Sequence, residues 1–290
     1  MICTLCPRSC RIDRTETEGK GVCGTGLLPR IARAGLHFDE EPVISGNGGS
    51  GAVFFSGCQL KCVFCQNYGI SHEAFGKTVT VERLKEIYKE LISKGARNIN
   101  LVSASHYVPA ILESLKEKPP VPVIWNSSGY EKVETIRMLK GKVDVYLPDF
   151  KYALTEPAKK YSLAPDYFEY AAKAVSEMLS QTGPVVLDEN GNIQKGVIIR
   201  HLILPGQTEN AKRVLDYINN HFRGAWVSLM AQYVPMGNAE KYPEINRPIT
   251  QDEYDEVVDY MLDLGLEDGF IQDLASADSK YTPDFDLSGV

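Results

Sequence analysis

Residues 52–71 read AVFFSGCQLKCVFCQNYGIS. The first five form an apolar run of the length of a buried strand. The glycine at 57 ends it in a loop that carries Cys58, Cys62 and Cys65. The chain beyond residue 71 repeats this strand-then-helix order, so the opening unit sets the pattern for the whole domain.

After Thr80, the residues Leu84, Ile87, Tyr88, Leu91 and Ile92 fall at helical spacing on one apolar face, and Gly95 supplies the stop. Strands are expected over 98–103 (NINLVS), 121–125, 143–147, 197–204 (VIIRHLIL) and 226–230. Helices are expected over 108–116, 131–139, 166–179 and 209–221, and a last one, announced by the capping-box pair Thr250 and Glu253, runs to about 264. Six strand–helix units imply an α/β chain with a parallel sheet and outer helices, either open and doubly wound or an incomplete barrel. Ligands would sit at the C-terminal ends of the strands in both. Two stretches interrupt the rhythm. Residues 182–195 suggest a hairpin around Asn190 and Gly191, and residues 231–248, with three prolines after a strand, suggest a lid or a surface excursion.

The 290 residues are 43% hydrophobic with a formal charge of −7, enough for one large domain with an appendage. Basic residues are dispersed, which argues against nucleic acid as the main partner. No segment has the apolar length of a membrane span, and no leader-like apolar stretch occupies residues 1–14, so the expected location is cytoplasmic. Reduced thiols are the rule there, and clustered cysteines then point to metal.

Cys58, Cys62 and Cys65 have the spacing C-x3-C-x2-C. Three thiolates reach three irons of a [4Fe–4S] cluster and leave the fourth open to a small chelating ligand. The competing readings are a zinc site completed by His72, and inert thiols. Cys3, Cys6, Cys10 and Cys23 form a second group, C-x2-C-P-x2-C-x12-C, with no open position. Zinc, a second Fe–S cluster and unmetallated thiols are all open for it. The organisation expected is a cysteine-rich metal-binding segment and joint over 1–50, the joint being 45–51 (SGNGGSG), and a main domain over 51–290.

The string Cys58, Cys62, Phe64, Cys65 resembles the signature of the radical S-adenosylmethionine (SAM) superfamily. The longer run is similar to the branch of pyruvate formate-lyase activating enzymes, which act on glycyl radical enzymes. Residues 125–130 (WNSSGY), 144–151 (DVYLPDFK) and 200–206 (RHLILPG) extend the resemblance over about 50–240. It implies a partial (β/α)6 barrel of the TIM type, and SAM bound to the open iron and cleaved to a 5′-deoxyadenosyl radical that abstracts hydrogen. It also implies an electron donor of the flavodoxin or ferredoxin type, and anaerobic chemistry. Position by position, it puts Phe64 near the adenine, Lys151 against the SAM carboxylate, Asp149 in a polar floor, and Arg200 near the methionine or ribose. Ser103, Asn126 and Ser128 fall at strand ends that contact SAM, with Asn126 where the activases carry an aspartate. Residues 103–106 (SASH) stand where the family shows a Gly-Gly-Glu-like string, which makes His106 a candidate proton or substrate contact. Three functions are compatible with these features: activation of a glycyl radical enzyme, radical modification of a small molecule or peptide, and a non-catalytic metal-binding module.

Overall fold

The computed structural model describes residues 2–277 and 282–290. Its strands are β1 Arg30–His37, β2 Ser50–Phe55, β3 Lys77–Thr78, β4 Ile99–Val102, β5 Val123–Ser127, β6 Val145–Pro148, β7 Val186–Leu187, β8 Ile193–Leu202, β9 Trp226–Met230 and β10 Gly269–Ile271. β2, β4, β5, β6, β8, β9 and β10 pair in that order, each parallel to the next. β1 and β3 extend the β2 edge as antiparallel strands, and β3 and β10 end the sheet unpaired with each other among the described residues. The result is a partial barrel that does not close.

The helices lie where the apolar spacing places them. Val81–Ser93 begins at Thr80, whose hydroxyl accepts from the Arg83 N–H, and Gln251–Asp263 begins with the Thr250–Glu253 capping box. The segment 182–195 is a hairpin of β7 on β8. One helix, Thr155–Ser162, has no counterpart in the periodicity reading; its proline at 157 lies in the first turn, where a missing N–H costs nothing.

The N-terminal stretch also departs from a loop-rich reading. β1 is a strand of the main sheet, and a register irregularity between Ile31 and Arg33 breaks the alternation that would have shown it. The glycines of 45–51 are there for close packing. A Cβ on Gly51 would lie 2.6 Å from the Asn98 carbonyl oxygen, and one on Gly48 would lie 2.7 Å from that of Gly95.

Period-two alternation sorts the parallel strands into two faces. Leu101, Trp125 and Tyr146 pack outward into the helix layer. Ile124, Val145, Leu147 and Ile198 face inward and enclose Ile44, fully buried on the short helix Pro42–Ser45. Burying an isoleucine side chain contributes about 2 kcal/mol. Residues 38–45 therefore plug the N-terminal end of the barrel, tied in by the Asn98 side chain donating to the Ile44 carbonyl at 2.7 Å. Further along the same inward faces the residues become polar, and there the site begins.

Candidate active site

A cavity of about 290 Å³ opens at the C-terminal ends of the parallel strands. Cys58, Cys62, Phe64, Cys65, Ser103, Asn126, Ser128, Asp149, Lys151 and Arg200 all line it. The pleat explains this: Asn126, Asp149 and Arg200 continue the inward rows begun by Ile124, Leu147 and Ile198.

Each of the three thiols receives a donor. The Leu60 N–H points at Cys58 Sγ at 3.3 Å, the Ser162 hydroxyl at Cys62 Sγ at 3.0 Å, and the Ser71 hydroxyl at Cys65 Sγ at 3.3 Å. Burial pushes the Cys62 thiol up to about 12, against the opposing Lys151 charge, and raises Cys65 against its Ser71 bond. Such thiols are protonated and unreactive at neutral pH unless a metal displaces the proton. Three sulfurs with donors aimed at them suit a metal-bound thiolate set. Among the described residues no three His, Cys, Asp or Glu side chains converge as they would about a single ion. His72 does not line the cavity; it stacks on Tyr68 at 4.2 Å between ring centres and meets Ser71 Oγ through Nδ1 at 2.8 Å.

Lys151 Nζ lies 2.6 Å from Asp149 Oδ2. Burial works against the ammonium, but Asp149, then Cys62, outweigh it and hold Lys151 above the ordinary lysine value. Phe64 is buried edge-on to Tyr233 at 5.8 Å. Ser103 ends β4 with φ 62° and donates its N–H to the Asn126 carbonyl at 2.8 Å. Among the described residues the Ser128 hydroxyl has no hydrogen-bond partner.

Arg200 reaches the cavity with its charge already paired. Its guanidinium bonds both carboxylate oxygens of Glu41, at 2.8 and 2.6 Å, and one of Glu40. Burial alone raises the Glu41 carboxyl; Arg200 outweighs it and pulls it below the ordinary carboxylate range. The other Glu40 oxygen accepts from Asn100 at 2.8 Å and Asn126 at 3.3 Å. Glu40 and Glu41 belong to the barrel plug, and the sequence reading missed them. The run of three acidic residues at 39–41 before a proline was their one local signal.

His106 lies outside the cavity. Its Nε2 meets the Ser56 carbonyl at 2.9 Å, and burial pushes its pKa down to about 3, which favours the neutral imidazole. Residues 231–248 are docked on the cysteine loop and are not a free lid. Asn238 donates its N–H to the Val63 carbonyl at 2.7 Å, and the Gln66 amide donates to the Gln232 carbonyl at 3.0 Å. Gly237 makes this possible: at φ 62°, a Cβ there would lie 2.6 Å from the Tyr68 ring.

Cys3, Cys6, Cys10 and Cys23 lie outside the cavity in an N-terminal knot. Burial, joined by the charges of Cys23, Cys10 and Cys3, pushes the Cys6 thiol up to about 12 against a bond from the Arg8 N–H. Cys3, Cys10 and Cys23 thus each lie close enough to Cys6 to act on its thiol.

A partial barrel that carries three thiols, a lysine–aspartate pair and a polar floor at its strand ends has the frame of a cofactor-dependent barrel enzyme. Residues 52–218 match the radical SAM superfamily, and the chain belongs to that superfamily. It is therefore an enzyme of a family whose cofactors are a [4Fe–4S] cluster and SAM, and the non-catalytic reading is set aside. The chain is 34% identical over 277 residues to the uncharacterized protein MJ0674 of Methanocaldococcus jannaschii, covering 90% of this chain and 76% of that protein. It is 29% identical over 126 residues to the anaerobic ribonucleoside-triphosphate reductase-activating protein of Enterobacteria phage T4, covering 40% of this chain and 80% of that protein. Among solved structures, a spore photoproduct lyase mutant superposes with a TM-score of 0.51 at 10% identity, over 82% of this chain and 81% of that one, a likeness of fold. Streptococcus suis SuiB bound to its precursor peptide SuiA gives a TM-score of 0.49 at 12% identity; it covers 76% of this chain, which spans about half, 48%, of SuiB. Among the described residues no helix is long and apolar enough to cross a membrane.

Proposed function

We propose that this chain cleaves SAM reductively at a [4Fe–4S] cluster held by Cys58, Cys62 and Cys65 and abstracts a hydrogen atom from a separate substrate. The observation that carries this reading is the meeting of three donor-supported thiols and the Lys151–Asp149 pair on one cavity wall. When bound, the cofactors supply the hard chemistry: one electron, delivered by a flavodoxin- or ferredoxin-type protein, splits SAM into methionine and a 5′-deoxyadenosyl radical, which takes the hydrogen. The chain's own residues bind, orient and exclude water. The Ser162 and Ser71 hydroxyls and the Leu60 N–H hold the sulfurs. Lys151, kept charged by Asp149, receives the SAM carboxylate. Phe64, backed by Tyr233, offers a flat wall to the adenine, and Ser103, Asn126 and Ser128 provide polar contacts. Val102, Leu202 and Met230 add apolar surface to the lining, which would help to exclude water.

The first reading of the substrate is a glycine Cα–H on a partner glycyl radical enzyme, in line with the activating-protein relative. The second is a small molecule or peptide, and the Arg200–Glu40–Glu41 group favours it, because a charged floor inside the barrel suits a compact polar substrate. The four N-terminal cysteines are assigned a second, closed metal site, zinc or a further cluster.

Anaerobic reduction with SAM is expected to yield 5′-deoxyadenosine from the wild type and none from Cys58→Ala. Absence of that product from an iron-loaded wild type sinks the reading. A glycine radical seen by paramagnetic resonance on a partner supports the first substrate class, and deuterium transfer from a labelled small molecule or peptide supports the second. A triple variant, Cys58→Ala, Cys62→Ala and Cys65→Ala, should lose about four irons and keep the N-terminal metal.

A further inference from the structure

The N-terminal knot has little to fold on. Among the described residues it contains no helix, and its β pairing is two isolated bridges, Ile2 with Asp13 and Arg14 with Gly19, beside scattered turn hydrogen bonds such as the Ser9 N–H to the Cys6 carbonyl at 3.0 Å. A segment of this kind takes its shape from whatever joins its cysteines. It is nevertheless seated directly on the loop that carries Cys58, Cys62 and Cys65.

Arg8, between Cys6 and Cys10, is the main contact. Its guanidinium donates to the carbonyls of Gln59 at 2.9 Å and Leu60 at 3.2 Å, inside the cysteine loop. It also donates to the carbonyls of Ser162, at 2.9 Å, and Leu163, at the end of helix Thr155–Ser162. Those are orphan acceptors at a helix C-terminus, where a cation is favoured. The same helix end supplies the hydroxyl that supports Cys62 Sγ. One planar cation thus staples the first half of the loop to the residue that holds its second sulfur, and it lies 5.3 Å from the centre of the Tyr130 ring.

A second contact meets the loop where it leaves β2. Gly57 has φ 84°, and a Cβ there would lie 2.6 Å from the Cys23 carbonyl oxygen. Glycine lets the backbone at the fourth cysteine of the knot press on the residue next to Cys58. A third contact anchors the knot to the barrel away from the loop: Lys132 Nζ donates to the Thr4 carbonyl at 3.0 Å and to Ser9 Oγ at 2.6 Å, and the Thr135 hydroxyl donates to the Leu5 carbonyl at 2.6 Å.

We propose that the four-cysteine knot is a clamp on the cluster loop, with Arg8 as its positioning residue, so that loss of the metal proposed for Cys3, Cys6, Cys10 and Cys23 loosens the grip on the catalytic cofactor. This rests on the reading of Cys58, Cys62 and Cys65 as cluster ligands for its consequence, though not for the clamp itself.

The test is hydrogen exchange over residues 57–65 of the full chain, with and without reconstituted iron, together with the rate of iron loss to a chelator. Arg8→Ala should speed exchange in that loop by roughly tenfold or more, leave β5 unchanged, and speed iron loss in parallel. Arg8→Lys, which keeps the charge and loses the fork, should fall between. The Cys6→Ser, Cys10→Ser double variant should match Arg8→Ala. If Arg8→Ala leaves loop exchange within about twofold of the wild type, the clamp is wrong. Should Arg8→Ala not fold, Lys132→Ala gives the same readout from the far side of the knot: faster loop exchange supports the clamp, and unchanged exchange overturns it. A wild type that takes up no iron at Cys58, Cys62 and Cys65 defeats the proposed function, while the exchange comparison on the iron-free chain still decides the clamp.

Discussion

The Ser162 hydroxyl donates to the Cys62 sulfur at 3.0 Å across 100 residues of chain. Hydrogen bonds to cluster sulfurs stabilise the more negative, reduced state and raise the reduction potential. With Cys62 as a cluster ligand, Ser162→Ala removes that preference for the reduced state and the midpoint potential should fall, by roughly 40 mV for a one-electron couple if the bond is about 1 kcal/mol stronger to the reduced cluster. An anaerobic redox titration followed by visible absorbance reads this directly. An unchanged potential would show that the bond is not made to a cluster ligand.

Lys151 sits at the end of β6 with Asp149 2.6 Å away. If it receives the SAM carboxylate, Lys151→Met should weaken SAM binding about tenfold, close to 1.4 kcal/mol, at unchanged iron content. Part of that loss comes from leaving Asp149 alone in the cavity, and the Lys151→Met, Asp149→Asn double variant should recover that part. Calorimetric titration with SAM on iron-loaded protein distinguishes the two contributions.

Arg200 bonds Glu40 and Glu41 where the plug meets the barrel floor. Arg200→Met strands two buried carboxylates and should destabilise the fold by about 3–5 kcal/mol in denaturant melts. Adding Glu40→Gln and Glu41→Gln should restore most of it, because the penalty lies in the uncompensated charge. A triple variant no more stable than Arg200→Met would refute this account of the floor.

Glu253 is held down to about 2 by its hydrogen bond from Arg247, helped by the N–H groups of Thr250 and Gly206. Its folded value is lower than its unfolded one, so the stability it contributes is present above pH 4.5 and is lost as pH falls toward 2. Thermal melts of the wild type should lose stability across that window. Glu253→Gln keeps the cap and removes the titrating charge, so its melting temperature should be lower at neutral pH and its decline in acid shallower. Parallel slopes for the two proteins would contradict the assignment.

Much of this protein is written locally. The cysteine spacing, the apolar strand runs, the helix faces and the Thr250–Glu253 cap each depend on neighbours within a few residues, and each is legible in the sequence. Alternation also explains why strand-end residues as far apart as Asn126 and Arg200 line one cavity: the pleat assigns them inward positions once the sheet is parallel. Other features depend on partners brought together by the folding of the whole sheet. Arg200 meets Glu41 across 159 residues, Arg8 meets Leu60 across 52, and Ser162 meets Cys62 across 100. A carboxylate or a hydroxyl carries no local mark of a partner so distant. The radical SAM loop was therefore determined by sequence alone, whereas the plug that neutralises Arg200 and the knot that grips the loop were decided by tertiary structure. The physical reason is that buried charges and orphan carbonyls must be satisfied by whatever the fold places beside them.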